Sequence, residues 1–116
     1  MTATTLINYS TRDFASKEDL ELYLERQDAA FSPDVTKLFT DAGMLRRVVT
    51  RIWNKKHAFR VGIVFEYRDQ AAFEACKPLL EKHYLSAVEG LATQVFGSRG
   101  VVLHEFVSDE FQGLTT

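Results

Sequence analysis

Three polar residues sit where they could do chemistry: Asn8 in "TTLINYST", Tyr67 closing "VGIVFEY", and His83 in "EACKPLLEKHY". A histidine titrates near neutrality and can act as a general base or as a ligand. A tyrosine hydroxyl and an asparagine amide can orient a substrate beside it. Phe73, Cys76, Leu80, His83, Ala87 and Leu91 follow one another at spacings of three or four, so His83 falls on a helical apolar stripe. The plainer reading of such a histidine is a ring packed on the core with one nitrogen bonded to backbone or water. No second ligand type lies three or four residues away, so no metal site is expected.

A second group lies around "RIWNKKHAFR". With "NKKH" as a loop between two strands, Ile52 pairs with Phe59, Thr50 with Val61 and Val48 with Ile63. This register gathers Val48, Ile52, Phe59, Val61, Ile63, Phe65 and Tyr67 on one face, and a one-residue slip would scatter them. It also sets Arg51 against Arg60, on the face that holds Trp53 and Gly62. Like charges opposite each other destabilise a sheet unless an anion intervenes. Arg51 and Arg60 are therefore a candidate clamp for a carboxylate-bearing substrate, with Trp53 beside them as a ligand-binding residue; His104 on the final strand is a further ligand-binding candidate with the same plain alternative as His83. The alternative is an intersubunit ion pair, or two solvated side chains. His57 belongs to an exposed basic loop. Cys76, on the apolar stripe, reads as an inert core thiol.

The elements that would position these residues follow from periodicity. Thr4 to Thr11 is β-branched and aromatic, a first strand. Ser16 caps a helix carrying Leu20, Tyr23, Leu24, Gln27 and Phe31 on one side; Ser32-Pro33 restarts it and Gly43 closes it. "MLRRVVTRIW" and "AFRVGIVFEYRD" are the central strands. Asp69 caps a second helical region, which Pro78 divides. "FGSRG" is a turn and "VVLHEFV" the last strand.

The order βαββαβ, with right-handed crossovers, predicts an α+β, ferredoxin-like domain over 1–116: a four-stranded antiparallel sheet with both helical regions on one face. The other face keeps large apolar groups, and such patches mark interfaces. A homodimer with its sheets packed face to face is expected.

Composition narrows the function classes. Of 116 residues, 46% are hydrophobic, enough for one real core. Fourteen basic against sixteen acidic residues and a pI near 5.9 oppose a nucleic-acid surface. RNA recognition motifs share the βαββαβ order, but Gly62 and Val64 stand where stacking aromatics would be needed. One cysteine precludes an internal disulfide and suits a reducing compartment. No apolar run nears the ~18 residues of a membrane span. A soluble cytoplasmic protein is expected.

At "FEYRDQAAFEACKPLLEKHY" the chain resembles the dimeric α+β barrel superfamily, and within it the antibiotic-biosynthesis-monooxygenase-like domains. The resemblance covers nearly the whole chain and implies a pocket between sheet and helices for a small hydrophobic molecule. That superfamily includes cofactor-independent oxygenases, isomerases, dehalogenating enzymes and haem-degrading enzymes, so the fold leaves the chemistry open. Cofactor-free oxygenation or isomerisation, with Asn8, Tyr67 and His83 as the catalytic set, is one expectation. A non-catalytic ligand-binding or interaction module is the other. The haem-degrading branch carries an Asn, a Trp and a His on corresponding elements; here Asn8 agrees, Tyr67 replaces the Trp, and His83 lies on the right helix. No cofactor is expected.

Overall fold

Local chemistry sets the helix boundaries. In the computed structural model, which describes residues 5–111, the Ser16 hydroxyl accepts from the Asp19 amide and starts α1 (Lys17–Ala30). Ser32 does the same for Val35, with Pro33 as the first residue of α2 (Pro33–Ala42). Gly43 ends α2 in the left-handed conformation, φ 110°. A side chain there would also meet the Ala72 Cβ at 2.4 Å, so glycine serves both the turn and the packing of α2 against the next helix. The Asp69 carboxylate accepts from the Ala72 amide and opens α3 (Gln70–Leu79).

Four strands form one antiparallel sheet: β1 (Leu6–Phe14), β2 (Met44–Arg51), β3 (Phe59–Tyr67) and β4 (Gln94–Val101), in the order β2-β3-β1-β4. This is the ferredoxin-like order. Thr4, the expected first residue of β1, lies outside the described residues. The strand also runs on to Phe14, beyond the expected Thr11. Val61, Ile63, Phe65 and Tyr67 of β3 all point to the helices and are buried. With Leu6, Phe14, Leu20, Tyr23, Phe31, Phe39, Cys76, Tyr84 and Val88 they make one hydrophobic cluster. No helix of the described residues is long and apolar enough to cross a membrane.

Three sequence expectations give way here. The β2–β3 register is one residue from that expected: Thr50 faces Gly62, Val49 faces Ile63 and Arg47 faces Phe65. Val48 and Thr50 therefore turn away from the helices, and Val49 and Arg47 turn toward them. The cause is Arg47, whose guanidinium lies 4.1 Å from the Phe31 ring centroid and donates to the Gln27 side-chain oxygen. Stacking and the buried amide together satisfy a charge that alternation alone assigns to water. Burial lowers its pKa from the ordinary arginine value, against the attraction of Asp28.

The last strand is also misplaced. "VFGSRG" lies inside β4, paired with β1 from Leu6↔Val101 to Asp13↔Gln94. Among the described residues the stretch after Val101 has no strand partner, although Val102 still donates to the Thr5 carbonyl. Glycines at 97 and 100 suggest a turn, yet neither has a positive φ and both fit extended backbone.

The third change lies beyond Pro78. Helix α3 passes into a π-helical turn (Leu80–Leu85) and then a short α4 (Ser86–Val88). A π turn closes its hydrogen bonds five residues apart instead of four. The inward residue after Leu80 is consequently Tyr84, followed by Val88; His83 is rotated off the stripe and half-buried.

Candidate functional site

Strict alternation along β1 puts Asn8, Ser10 and Arg12 on the helix side, opposite Phe65, Ile63 and Val61 of β3. On β4 the same side carries Val95, Gly97 and Arg99, with Ser10 paired to Gly97 and Asn8 to Arg99. The helices cover β3 and the inner half of β1 but leave β4 exposed along its length. Between that strand and α3 with its π turn lies a cleft of about 290 Å³. Its apolar wall includes Phe65, Phe73, Leu80 and Tyr84, and its polar groups include Asn8, Arg12, Tyr67, Lys77, Glu81 and Arg99. A second hollow of about 440 Å³ continues along the same seam, sharing Arg12, Glu81, Leu85 and Val95.

The cations are held by aromatic rings. Arg12 lies 5.5 Å from the centroids of both Tyr23 and Tyr84, and Arg99 lies 4.8 Å from that of Phe73. Tyr84 is itself fixed: its hydroxyl and that of Tyr23 are 2.5 Å apart in the core. Burial, and then the neighbouring Tyr84, push the Tyr23 phenol above its usual range. Tyr67 is fully buried, and its hydroxyl has no hydrogen-bond partner among the described residues. Burial raises its pKa too, while nearby Arg99 pulls the other way, so at neutral pH it is a neutral donor.

Of the expected catalytic set, Asn8 and Tyr67 meet at this cleft and His83 does not; Tyr84 takes the inward position. The expected ligand-binding set is dispersed. Arg60 lies on the side of the sheet away from the helices and is clamped to Asp13 through both carboxylate oxygens, whereas Arg51 faces Val61 on the helix side. The two arginines therefore do not oppose each other. Trp53 is 91% exposed in the loop after β2, and His104 is exposed beyond β4. No group of three or more His, Cys, Asp or Glu among the described residues could hold a metal ion.

Sequence reading missed Arg12 and Arg99, and gave the inward place on the helix to His83 rather than to Tyr84. Arg12 is available from alternation once β1 is carried past Thr11. Arg99 was hidden by the glycines around it, and Tyr84 by the change of helical period.

Away from the helices the sheet presents Tyr9, Thr11, Thr50, Gly62, Val64 and Phe96 around a shallow depression of about 320 Å³. Tyr9 and Phe96 are 51% and 59% exposed.

Residues 3–102 match a family described as a domain of unknown function (DUF6974). Among solved structures, a dimeric ferredoxin-like protein from an uncultured marine organism is 30% identical, over 89% of this chain and 99% of its own, with a TM-score of 0.79. A second such protein, also from an uncultured marine organism, is 28% identical over 91% of this chain and 94% of its own, with a TM-score of 0.82. A Bacillus cereus protein named as a candidate antibiotic biosynthesis monooxygenase shares the fold at 12% identity and a TM-score of 0.62, over 91% of this chain and 100% of its own. No curated protein matches.

Proposed function

The chain belongs to the DUF6974 family, and on that premise we propose that it is a homodimeric α+β barrel protein that binds a small, largely apolar molecule in the cleft between β1, β4 and α3. The observation that carries this reading is the cleft itself. Its volume is at the lower end of the ligand-pocket range, its wall is aromatic and aliphatic, and a few polar groups converge on it. The dimer is supported by the apolar open side of the sheet and by the dimeric state of the two marine relatives.

Catalysis on the same molecule, by cofactor-free oxygenation or isomerisation, is the second reading. The shared position of Asn8 and Tyr67 favours it, and the position of His83 outside the cleft weakens it. A haem reading has less support, because no histidine or cysteine lines the cleft to serve as an axial ligand.

Native mass spectrometry of the purified protein tests the binding reading, with Gly97→Phe as the blocking variant. A Cβ at Gly97 meets nothing closer than the Tyr9 carbonyl oxygen at 3.8 Å, so the backbone leaves room for a side chain to start there, and on the helix side its ring enters the cleft. A co-purifying mass present in the natural protein and lost in Gly97→Phe is the expected result. Equal ligand retention in both would remove the cleft as the site. Aerobic incubation with the recovered ligand, followed by product analysis, separates catalysis from storage.

A further inference from the structure

Buried polar side-chain atoms almost always find a hydrogen-bond partner, because an orphaned one costs about 1–3 kcal/mol. Among the described residues two have none, Arg12 Nε and the Tyr67 hydroxyl. Both residues line the same cleft, toward opposite ends: Tyr67 is level with Leu6 of β1 and Arg12 lies six residues further along that strand. Both atoms are donors, so what would satisfy them is an acceptor.

The charges agree. Arg12, Lys77 and Arg99 line the cleft against a single carboxylate, Glu81, which is exposed. Lys77 is paired with Glu74 at 3.5 Å, but neither Arg12 nor Arg99 has a carboxylate within 4.0 Å among the described residues. Asp13, next to Arg12 in sequence, points to the opposite side of the sheet and is taken by Arg60. A guanidinium left without a counter-ion near a buried neutral phenol, as Arg99 is near Tyr67 with both against the Phe73 ring, forms a site for an anion, and its planar fork matches a carboxylate in particular. The aromatic wall then requires the rest of the ligand to be apolar.

We propose that the cleft recognises a small aromatic or aliphatic carboxylic acid, its carboxylate held by Arg99 with the Tyr67 hydroxyl donating and its hydrophobic body against Phe65, Phe73 and Leu80. This rests on the cleft being the ligand site and adds the chemical class that the site selects. Arg99 is the accessible cation, on an exposed strand; Arg12, six strand positions from the level of Tyr67, lies toward the other end of the cleft against the adjoining Tyr23 and Tyr84 rings.

The test is an amide-resolved NMR titration of the full chain with phenylacetate, 3-phenylpropionate and 2-naphthoate, each beside the primary alcohol of the same carbon skeleton, and with inorganic phosphate. At least one acid is expected to shift the amides of Asn8, Gly97 and Arg99 and to bind about tenfold or more tightly than its alcohol. Arg99→Met, which keeps much of the stem, is expected to weaken the acid about tenfold and leave the alcohol unchanged. Tyr67→Phe removes only the orphaned hydroxyl, keeps the fold, and is expected to weaken the acid several-fold. Equal affinity for acid and alcohol, or an acid indifferent to Arg99→Met, overturns the carboxylate assignment while leaving the cleft as an apolar site. Phosphate binding as tightly as the acids overturns the organic-acid class. No acid or alcohol shifting those amides overturns the cleft reading and this inference with it.

Discussion

The hydroxyls of Tyr23 on α1 and Tyr84 on the π-helical turn meet 2.5 Å apart in the core, and this contact sets which residues of the turn face the sheet. With Tyr84 held inward, its ring packs edge-on against Phe65 and lies under Arg12. His83 is correspondingly turned off the stripe.

Tyr84→Phe therefore leaves the Tyr23 hydroxyl buried without its partner. Chemical denaturation is expected to read a loss of about 1–3 kcal/mol. Tyr23→Phe with Tyr84→Phe, which removes both polar atoms, is expected to recover much of that loss. An additive double mutant would mean the two hydroxyls are not coupled.

His83→Ala is expected to leave ligand retention within twofold of the natural protein, whereas Asn8→Ala and Tyr67→Phe reduce it. Native mass spectrometry on the three variants reads this directly. A loss of ligand in His83→Ala alone would return His83 to the site.

On the open side of the sheet, Tyr9 and Phe96 carry the largest exposed apolar surface around the central depression. Tyr9→Lys with Phe96→Lys is expected to convert a dimer to a folded monomer, read by sedimentation velocity at micromolar concentration. Persistence of the dimer would move the interface elsewhere.

Stability should fall in alkali. Tyr23 and Tyr67 have phenols raised above their usual range, chiefly by burial. The unfolded chain ionises near pH ~10 and the folded one higher, so above that pH the unfolded state binds fewer protons and gains relative stability. The contribution is complete below pH ~10 and is lost as the pH rises toward the folded values. Melting temperatures from pH 8 to 11 are expected to decline more steeply in the natural protein than in Tyr67→Phe; parallel curves would count against a buried neutral phenol.

The caps, the βαββαβ order and the apolar row of β3 were legible because each rests on neighbours in the chain: Ser16, Ser32 and Asp69 bond amides three residues on, and Val61, Ile63, Phe65 and Tyr67 alternate without exception. Asn8 and Tyr67 were nominated by residue type and by the family resemblance, and strand alternation places both on the helix side. What stayed hidden depends on partners far along the chain. Arg47 reads as a solvent residue until Phe31 and Gln27 are beside it, and that one misreading carries the β2 register with it. Gly97 and Arg99 read as a turn until β1 supplies hydrogen bonds to extended backbone there. The inward place of Tyr84 rather than His83 depends on a π turn and on a hydroxyl from another helix. Short-range bonding and side-chain period are written in the sequence, whereas a charge's burial, a strand's register and a helix's rotation are decided by contacts that exist only once the layers have packed.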